Sequence, residues 1–336
     1  MESPTWTKRT LGSTGMAVTP LGIGGGYLGV RNGKLDERVG VETVLRGLEL
    51  GLNLIDSSGA YIGGKSERMI GMALLEWYQR GGRREDLILS TKTGTRSREA
   101  RDYTYAGTVS SVETSLELLQ TDYIDILHVH DPIDLDPVFV SDGALAALKD
   151  LKANSVIRAI GLGCRQHEFH QRCIASDEFD VSLTFHDYNL AVQTADQGVI
   201  QPATEKGMGV FNATVTLNGL LTDGDPMARW RERDRLWERH LAQMSPDRLE
   251  WARERRVQDK EQAERAAQLW EWCQMHKISL LALNLQFCLR DPRIASTLIG
   301  FTRPARVEED IAACWVPIPE DTWDKLYETF HLRRAV

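Results

Sequence analysis

The sequence predicts an α/β fold, a (β/α)8 TIM barrel, and three observations carry that reading. Short β-branched and aliphatic runs recur eight times with little apolar–polar alternation, the pattern of parallel strands buried on both faces. Helical patterns lie between these runs almost throughout. The length, 336 residues, suits one large barrel of this kind, so residues 1–336 are expected to form a single barrel.

Ahead of the barrel, Lys8-Arg9-Thr10-Leu11 and Ala17-Val18-Thr19 flank Gly12-Ser13-Thr14-Gly15 and read as a hairpin. Strands are expected at 20–24, 53–56, 87–92, 124–130, 157–161, 181–185, 209–213 and 296–299. Helices are expected near 38–51, 65–80, 107–120, 142–153, 167–175, 196–206, 262–276 and 304–313. Ser141 and Asp142 suit an N-cap, and Gly207 follows Lys206 where a C-cap glycine belongs. One stretch breaks the rhythm. Residues 222–264 are dense in Arg, Glu, Asp and Gln, with Trp230, Trp237 and Trp251 interspersed, and are too long for an ordinary connector. A charged helical insertion is expected there, either a solvated pair of helices or a lid or subunit contact through which a homo-oligomer would form.

Bulk properties narrow the class of function. Apolar residues make up 42% and charged residues 26%, the balance of a globular protein. No apolar run approaches the ~18 residues of a membrane span, and Met1-Glu2-Ser3-Pro4-Thr5-Trp6 lacks a secretory signal's apolar stretch. The five cysteines, Cys164, Cys173, Cys273, Cys288 and Cys314, are odd in number and scattered. They fit reduced cytoplasmic thiols better than a disulfide framework or zinc site. A net charge of −8 argues against nucleic acid as the main partner.

The chemistry concentrates at three consecutive strand ends. Leu54-Ile55-Asp56 delivers a carboxylate, and Tyr61 follows in a glycine-rich loop. Ile88-Leu89-Ser90-Thr91-Lys92 delivers an amine, and Ile124-Asp125-Ile126-Leu127-His128-Val129-His130 an imidazole. Barrel active sites lie at the carboxyl ends of strands, and neighbouring strands are about 4.8 Å apart, so these side chains can converge. Singly, Asp56 could cap a turn, Lys92 could be solvated and His130 could be a core histidine. Jointly they suit reversible carbonyl reduction, with Tyr61 as general acid, Lys92 lowering its pKa, Asp56 holding and neutralising the lysine, and His130 orienting the substrate oxygen or passing the proton. No nucleophile stands beside an activating base, which speaks against acyl transfer.

These motifs resemble the aldo-keto reductases essentially from end to end. Asn53-Leu54-Ile55-Asp56, Tyr61, Gly64, Ser66-Glu67 and Ile70-Gly71 follow that family's signature, and Ser90-Thr91-Lys92 and Asp122 to Asp131 match its lysine and histidine motifs. Leu11-Gly12-Ser13-Thr14-Gly15, His128-Val129-His130-Asp131 and Gly219-Leu220-Leu221-Thr222 are most similar to the branch of L-galactose and related aldose dehydrogenases. The resemblance implies a nicotinamide cofactor at the barrel mouth and a small carbonyl or sugar substrate. It also implies cofactor contacts at Gly25, Gly26 and Gly163, at Thr214, Leu217, Gly219 and Leu220, and at Gly300, Arg306, Glu309 and Asp310. Arg306 favours NADP(H) over NAD(H), because a guanidinium suits a phosphate. Tyr27, His128 and His186 are expected to border the substrate.

The pattern departs from the family in places. Gly163-Cys164 and Phe185 stand where many relatives carry Ser-Asn and Gln to clamp the carboxamide; His186, Arg165 and Asn212 are possible substitutes. Val215 replaces a usual Pro and Asp310 a common Asn. Three other readings compete. Gly24-Gly25-Gly26-Tyr27-Leu28-Gly29 matches a Rossmann loop, although Val30-Arg31-Asn32-Gly33-Lys34 is no helix start. His128 and His130, with His186, could hold a metal in a hydrolase. A slow, cofactor-sensing or scaffold barrel is the third.

Overall fold

In the computed structural model, which describes residues 5–31, 33–96, 101–241 and 246–334, the chain opens with the expected hairpin. Strand β1 (Arg9–Thr10) pairs antiparallel with β2 (Ala17–Val18). Strand β3 (Leu21–Gly24) follows, then a 3-10 turn at Gly25–Tyr27 and a small ribbon of β4 (Val30–Arg31) and β5 (Lys34–Leu35). The first helix, α1 (Glu37–Glu49), starts only at an N-cap on Asp36, which accepts from the Val39 amide. No helix opens at Gly24-Gly25-Gly26, so the Rossmann alternative fails on its own structural requirement.

Strand and helix then alternate. Strand β6 (Leu54–Asp56) leads to α2 (Lys65–Gln79), β7 (Ile88–Thr93) to α3 (Tyr105–Leu119), and β8 (Ile124–His130) to α4 (Asp136–Phe139) and α5 (Ala144–Ala153). Strand β9 (Ile157–Gly163) precedes α6 (His167–Ser176), and β10 (Val181–Phe185) precedes a π-turn, Asp196–Ile200, and α7 (Gln201–Glu205). After β11 (Gly209–Ala213) come α8 (Pro226–Leu241), α9 (Pro246–His276) and α10 (Leu280–Arg290), then β12 (Ser296–Gly300), α11 (Pro304–Cys314) and α12 (Glu320–Phe330). The eight parallel strands β3, β6, β7, β8, β9, β10, β11 and β12 close into a barrel in that order.

Several boundaries differ from the sequence reading. Ser141 and Asp142 do not cap α5; Gly143 occupies that position without a side-chain hydrogen bond. The insertion is helical, but α9 runs on through residue 264 into the helix expected at 262–276. Helix α10 escaped notice because Leu280, Leu281, Leu283 and Leu285 bury it nearly all round, which erases the one-sided helical period. The Trp251 side chain lies outside the described residues.

Two compact units result. The first, Met1–Phe185, Ala195–Ala213 and Pro292–Glu309, contains the whole barrel. Its lumen follows from strand periodicity. Leu54, Ile88, Ile126, Ala159, Leu183, Phe211 and Leu298 pack into one cluster with Leu11, Met16 and Val18 of the hairpin. Two residues further along the same strands, the same face carries Asp56, Ser90 and His128, and beyond the latter two Lys92 and His130. An apolar layer thus underlies a polar one. Gly161 on β9 makes room for it, since a Cβ there would lie 2.2 Å from His128 Nδ1.

The second unit, His186–Thr194, Thr214–Asp291 and Asp310–Val336, has its own core. Trp272 meets Phe330 edge-on, Tyr188 stacks on Phe287, and the Tyr188 hydroxyl donates to Asp291 at 2.7 Å. Arg256 joins α9 to Asp234 of α8 at 2.7 Å.

Helices α2 and α3 approach closely at Gly71, where a Cβ would fall 2.0 Å from the Leu118 carbonyl oxygen. Gly71→Ala must push the helices apart and is expected to cost about 1–3 kcal/mol of stability in urea denaturation; an unchanged midpoint would contradict this packing.

Candidate active site

Lys92 sits at the centre, its side chain 1% exposed. Its Nζ donates to Asp56 Oδ2 at 2.6 Å and to the Ser57 carbonyl at 2.6 Å, and it lies 4.7 Å from the centre of the Tyr61 ring. The other Asp56 oxygen accepts from Ser90 Oγ at 2.8 Å. Ser90 spends its proton there, so its oxygen accepts from His128 Nε2 at 3.1 Å. Carboxylate, hydroxyl and imidazole therefore form a chain beneath the lysine, with His128 neutral and protonated on Nε2.

His130 faces the mouth. Its Nδ1 lies 3.1 Å from Ser58 Oγ and is also bonded to Thr95 Oγ1. These hydroxyls occupy Nδ1 and leave Nε2 as the ring nitrogen for a substrate oxygen; where a hydroxyl donates to Nδ1, the neutral ring carries its proton on Nε2 and can donate there. The ring packs edge-on against Tyr61, centroids 5.7 Å apart, and the Tyr103 hydroxyl anchors the His130 carbonyl at 2.7 Å.

Tyr61 is held in a hydrogen-bonded loop. Its amide donates to the Ser58 carbonyl at 3.0 Å, and Ser57 Oγ pairs with Ser66 Oγ, which donates to the Gly25 carbonyl. Beneath the loop, the Arg96 guanidinium lies against Gly59, where a Cβ would be 2.9 Å from Arg96 Cζ. Arg96 is fixed by Ser111, Ser115 and the fully buried Glu67, which also accepts from Thr91 and Ser115. These supporting groups were not singled out from sequence. Ser66-Glu67 lie in the signature motif and Ser90 in the lysine motif, but a buried polar role leaves no periodic signal.

Electrostatics distinguishes the four groups. Burial works against the Lys92 ammonium, yet Asp56, Tyr61 and the hydrogen bonds to both more than compensate, so its pKa rises. Burial pushes the Tyr61 phenol up, Lys92 draws it down and Asp56 pushes it up again; the net direction is upward. That corrects the expectation of a lowered phenol. The lysine charge is largely committed to Asp56 and only partly offsets desolvation. Burial, followed by Lys92, holds both His128 and His130 well below the usual histidine value. Burial raises the Asp131 carboxyl, against the pull of Arg101 and Lys92.

The remaining expected residues divide clearly. In the first unit, Gly26 opens onto free space, and Gly163 has nothing nearer to an added Cβ than Lys92 Cε at 3.6 Å, so Gly163 leaves room beside the lysine. Gly25 is small for Ser66, whose Oγ would lie 2.5 Å from its Cβ. Tyr27 is 52% exposed and lies against Gly300. Arg306 and Arg303 share Glu309, at 3.8 and 3.0 Å. His128, expected to border the substrate, lies two residues before His130 on β8. It is fully buried between Gly161, Phe211 and Ser90, one layer below the mouth. Asn212 is also fully buried, on the opposite face of β11 from the lumen residue Phe211, which removes it as a carboxamide clamp. Cys164 is buried too, and burial keeps its thiol neutral.

In the second unit, Thr214, Leu217, Asn218 and Gly219 all have positive φ. Such strained backbone concentrates at functional loops. The Leu217 and Leu220 side chains are buried, so only their backbones can meet a ligand. Arg229 donates to the Gly219 carbonyl at 3.1 Å and Arg233 to that of Leu217 at 3.3 Å, so helix α8 of the insertion braces this loop. His186 has φ 69 and its carbonyl accepts from Asn189. Asp310 is fully buried. Among the described residues, no three His, Cys, Asp or Glu side chains group so as to hold a metal ion, and no helix is long and apolar enough to cross a membrane.

Residues 20–329 match the aldo/keto reductase family. The chain is 32% identical over 310 residues to L-galactose dehydrogenase of Arabidopsis thaliana, covering 91% of this chain and 87% of that one. It is 27% identical over 347 residues to D-threo-aldose 1-dehydrogenase of a Pseudomonas species, covering 96% and 97%. Among solved structures, an aldo-keto reductase from Bacillus halodurans superposes with a TM-score of 0.70 at 23% identity, covering 96% of each chain; that likeness concerns the fold.

The depressed imidazoles have a consequence for acid stability. Below the ordinary value of 6.5 the unfolded chain binds protons that the folded one refuses, so stability falls as pH drops from there. His128→Gln keeps a donor for Ser90 but does not titrate. It is expected to flatten the slope of unfolding free energy below pH 6.5 by up to about 1.4 kcal/mol per pH unit; an unaltered slope would refute a neutral His128.

Proposed function

This chain belongs to the aldo/keto reductase family of oxidoreductases, and we propose that it interconverts a carbonyl and an alcohol by hydride transfer on a sugar or sugar-derived aldehyde or aldose. The observation that carries this reading is the buried Lys92–Asp56 pair beside Tyr61, with His130 facing the same ring. Two relatives named for the dehydrogenation of sugars support a sugar substrate.

The residues present fit a nicotinamide cofactor. Gly163 leaves space beside Lys92, and Arg306 is the residue proposed for a ribose phosphate, which favours NADP(H) over NAD(H). Among the second unit's candidates, the backbone of Thr214, Leu217, Gly219 and Leu220 remains proposed for cofactor contact. When bound, the cofactor supplies or accepts the hydride.

The side chains manage the proton. In reduction, His130 Nε2–H donates to the carbonyl oxygen and orients it. The Tyr61 hydroxyl then gives its proton to that oxygen, and Lys92 stabilises the phenolate left behind. A phenol held protonated at neutral pH is the right state for this acid. In oxidation the phenolate recovers the proton from the alcohol. Asp56 keeps Lys92 charged and in place, and Ser90 with His128 keeps Asp56 in place.

A screen of aldoses and simple aldehydes with both nicotinamides, run in both directions, tests the assignment. Tyr61→Phe is expected to lower kcat by about 10²–10⁴-fold while cofactor affinity, read by protein fluorescence, stays within a few-fold; substantial retained turnover would mean the proton comes from elsewhere. Arg306→Ala is expected to raise KM for NADP(H) more than for NAD(H). Equal efficiency with both cofactors, unchanged in the variant, would remove the basis for that preference.

A further inference from the structure

We propose that Asp131 selects substrates bearing a hydroxyl on the carbon next to the reacting carbonyl, by accepting a hydrogen bond from that hydroxyl beside His130. The inference rests on the redox reading above and deepens it, because it assigns the recognition of a sugar's second oxygen to one side chain.

The argument starts from the backbone. Strand β8 ends at His130, and the Asp131 amide still continues the ladder to the Gly163 carbonyl at 2.9 Å. Asp131 itself turns to φ 42, a left-handed conformation that costs a non-glycine residue energy and that Asp and Asn tolerate best. That turn brings the carboxylate back beside the histidine, with Oδ2 3.6 Å from His130 Nε2. This separation is longer than a hydrogen bond, so the Nε2 proton is not spent on the carboxylate and stays available for a substrate oxygen. The Asp131 side chain is 39% exposed and that of His130 10%; the acid stands at the rim while the imidazole lies within.

Geometry then fixes what the pair can read. The reacting oxygen must lie within reach of both Tyr61 and His130 Nε2. Vicinal oxygens of a 2-hydroxy carbonyl are separated by about one hydrogen-bond length, so a neighbouring hydroxyl falls beside the carboxylate. An ionised carboxylate only accepts, and it therefore recognises a hydroxyl and gains nothing from a methylene. In the oxidative direction the same acceptor would take the 2-hydroxyl of an aldose whose anomeric oxygen occupies the Tyr61–His130 position. The bland alternative is that Asp131 stands here only because the backbone turns.

Lactaldehyde and propanal differ by that hydroxyl alone and form the test. The intact protein is expected to show a kcat/KM at least about tenfold higher for lactaldehyde, and Asp131→Gly, which removes the acceptor and suits the left-handed backbone, is expected to bring the ratio to within about threefold of unity. Asp131→Asn keeps the size, the left-handed preference and an amide oxygen that still accepts, so it should retain part of the preference. A ratio unchanged in both variants, or rates falling in equal proportion on both aldehydes, would overturn the inference and leave Asp131 a support for His130. No preference in the unaltered protein would overturn it as well. Turnover of neither aldehyde, nor of any aldose, would instead overturn the redox reading and this inference with it.

Discussion

Placing an ammonium and a carboxylate together inside a barrel is the constraint on which the rest of this structure depends. The Lys92–Asp56 pair is almost wholly removed from water, and removing both charges from solvent costs several kcal/mol each unless the remaining hydrogen-bonding capacity is met. The chain meets most of it. Ser57 takes a second lysine proton, Ser90 takes the second carboxylate oxygen, and His128 takes the serine oxygen. Each of these needs its own accommodation, down to the missing side chain at Gly161. The polar layer is thus one unit, built from alternate positions of β6, β7 and β8.

That commitment shapes the chemistry. A lysine free to act only on the phenol would depress its pKa, whereas one already neutralised by Asp56 cannot overcome the burial of Tyr61. The phenol rests protonated, ready to give a proton to an oxygen that is becoming an alkoxide. The lysine then matters most as the phenolate forms, which is where stabilisation accelerates a reaction. The two imidazoles stay neutral for the same reasons of burial and neighbouring charge, so His130 offers a hydrogen bond in place of a full positive charge.

Much of this was legible in the sequence because parallel strands write their identity in continuous apolar runs, and because the reactive side chains close those runs. The eight strands fall within a residue or two of their expected limits, and Asp56, Tyr61, Lys92 and His130 do converge. What stayed hidden follows from physics too. His128 and His130 are two residues apart on one strand face, and only depth in the lumen separates a supporting ring from one facing the mouth; sequence carries no measure of depth. Arg96 and Glu67 meet across distant segments, and Asp131 owes its position to a left-handed turn that no pattern announces. Helix α10, apolar on nearly every side, has no amphipathic period to find.

The direct measure of this account is the ionisation of Tyr61 itself, followed by carbon-13 NMR of ring-labelled tyrosine, with the signal assigned by its loss in Tyr61→Phe. The structure predicts a phenol still protonated at neutral pH, titrating above the ordinary tyrosine value of 10.0, and titrating higher again, or not at all, in Lys92→Met. The same titration midpoint with and without Lys92 would show that the ammonium does not act on the phenol, and the coupling at the heart of this site would be wrong.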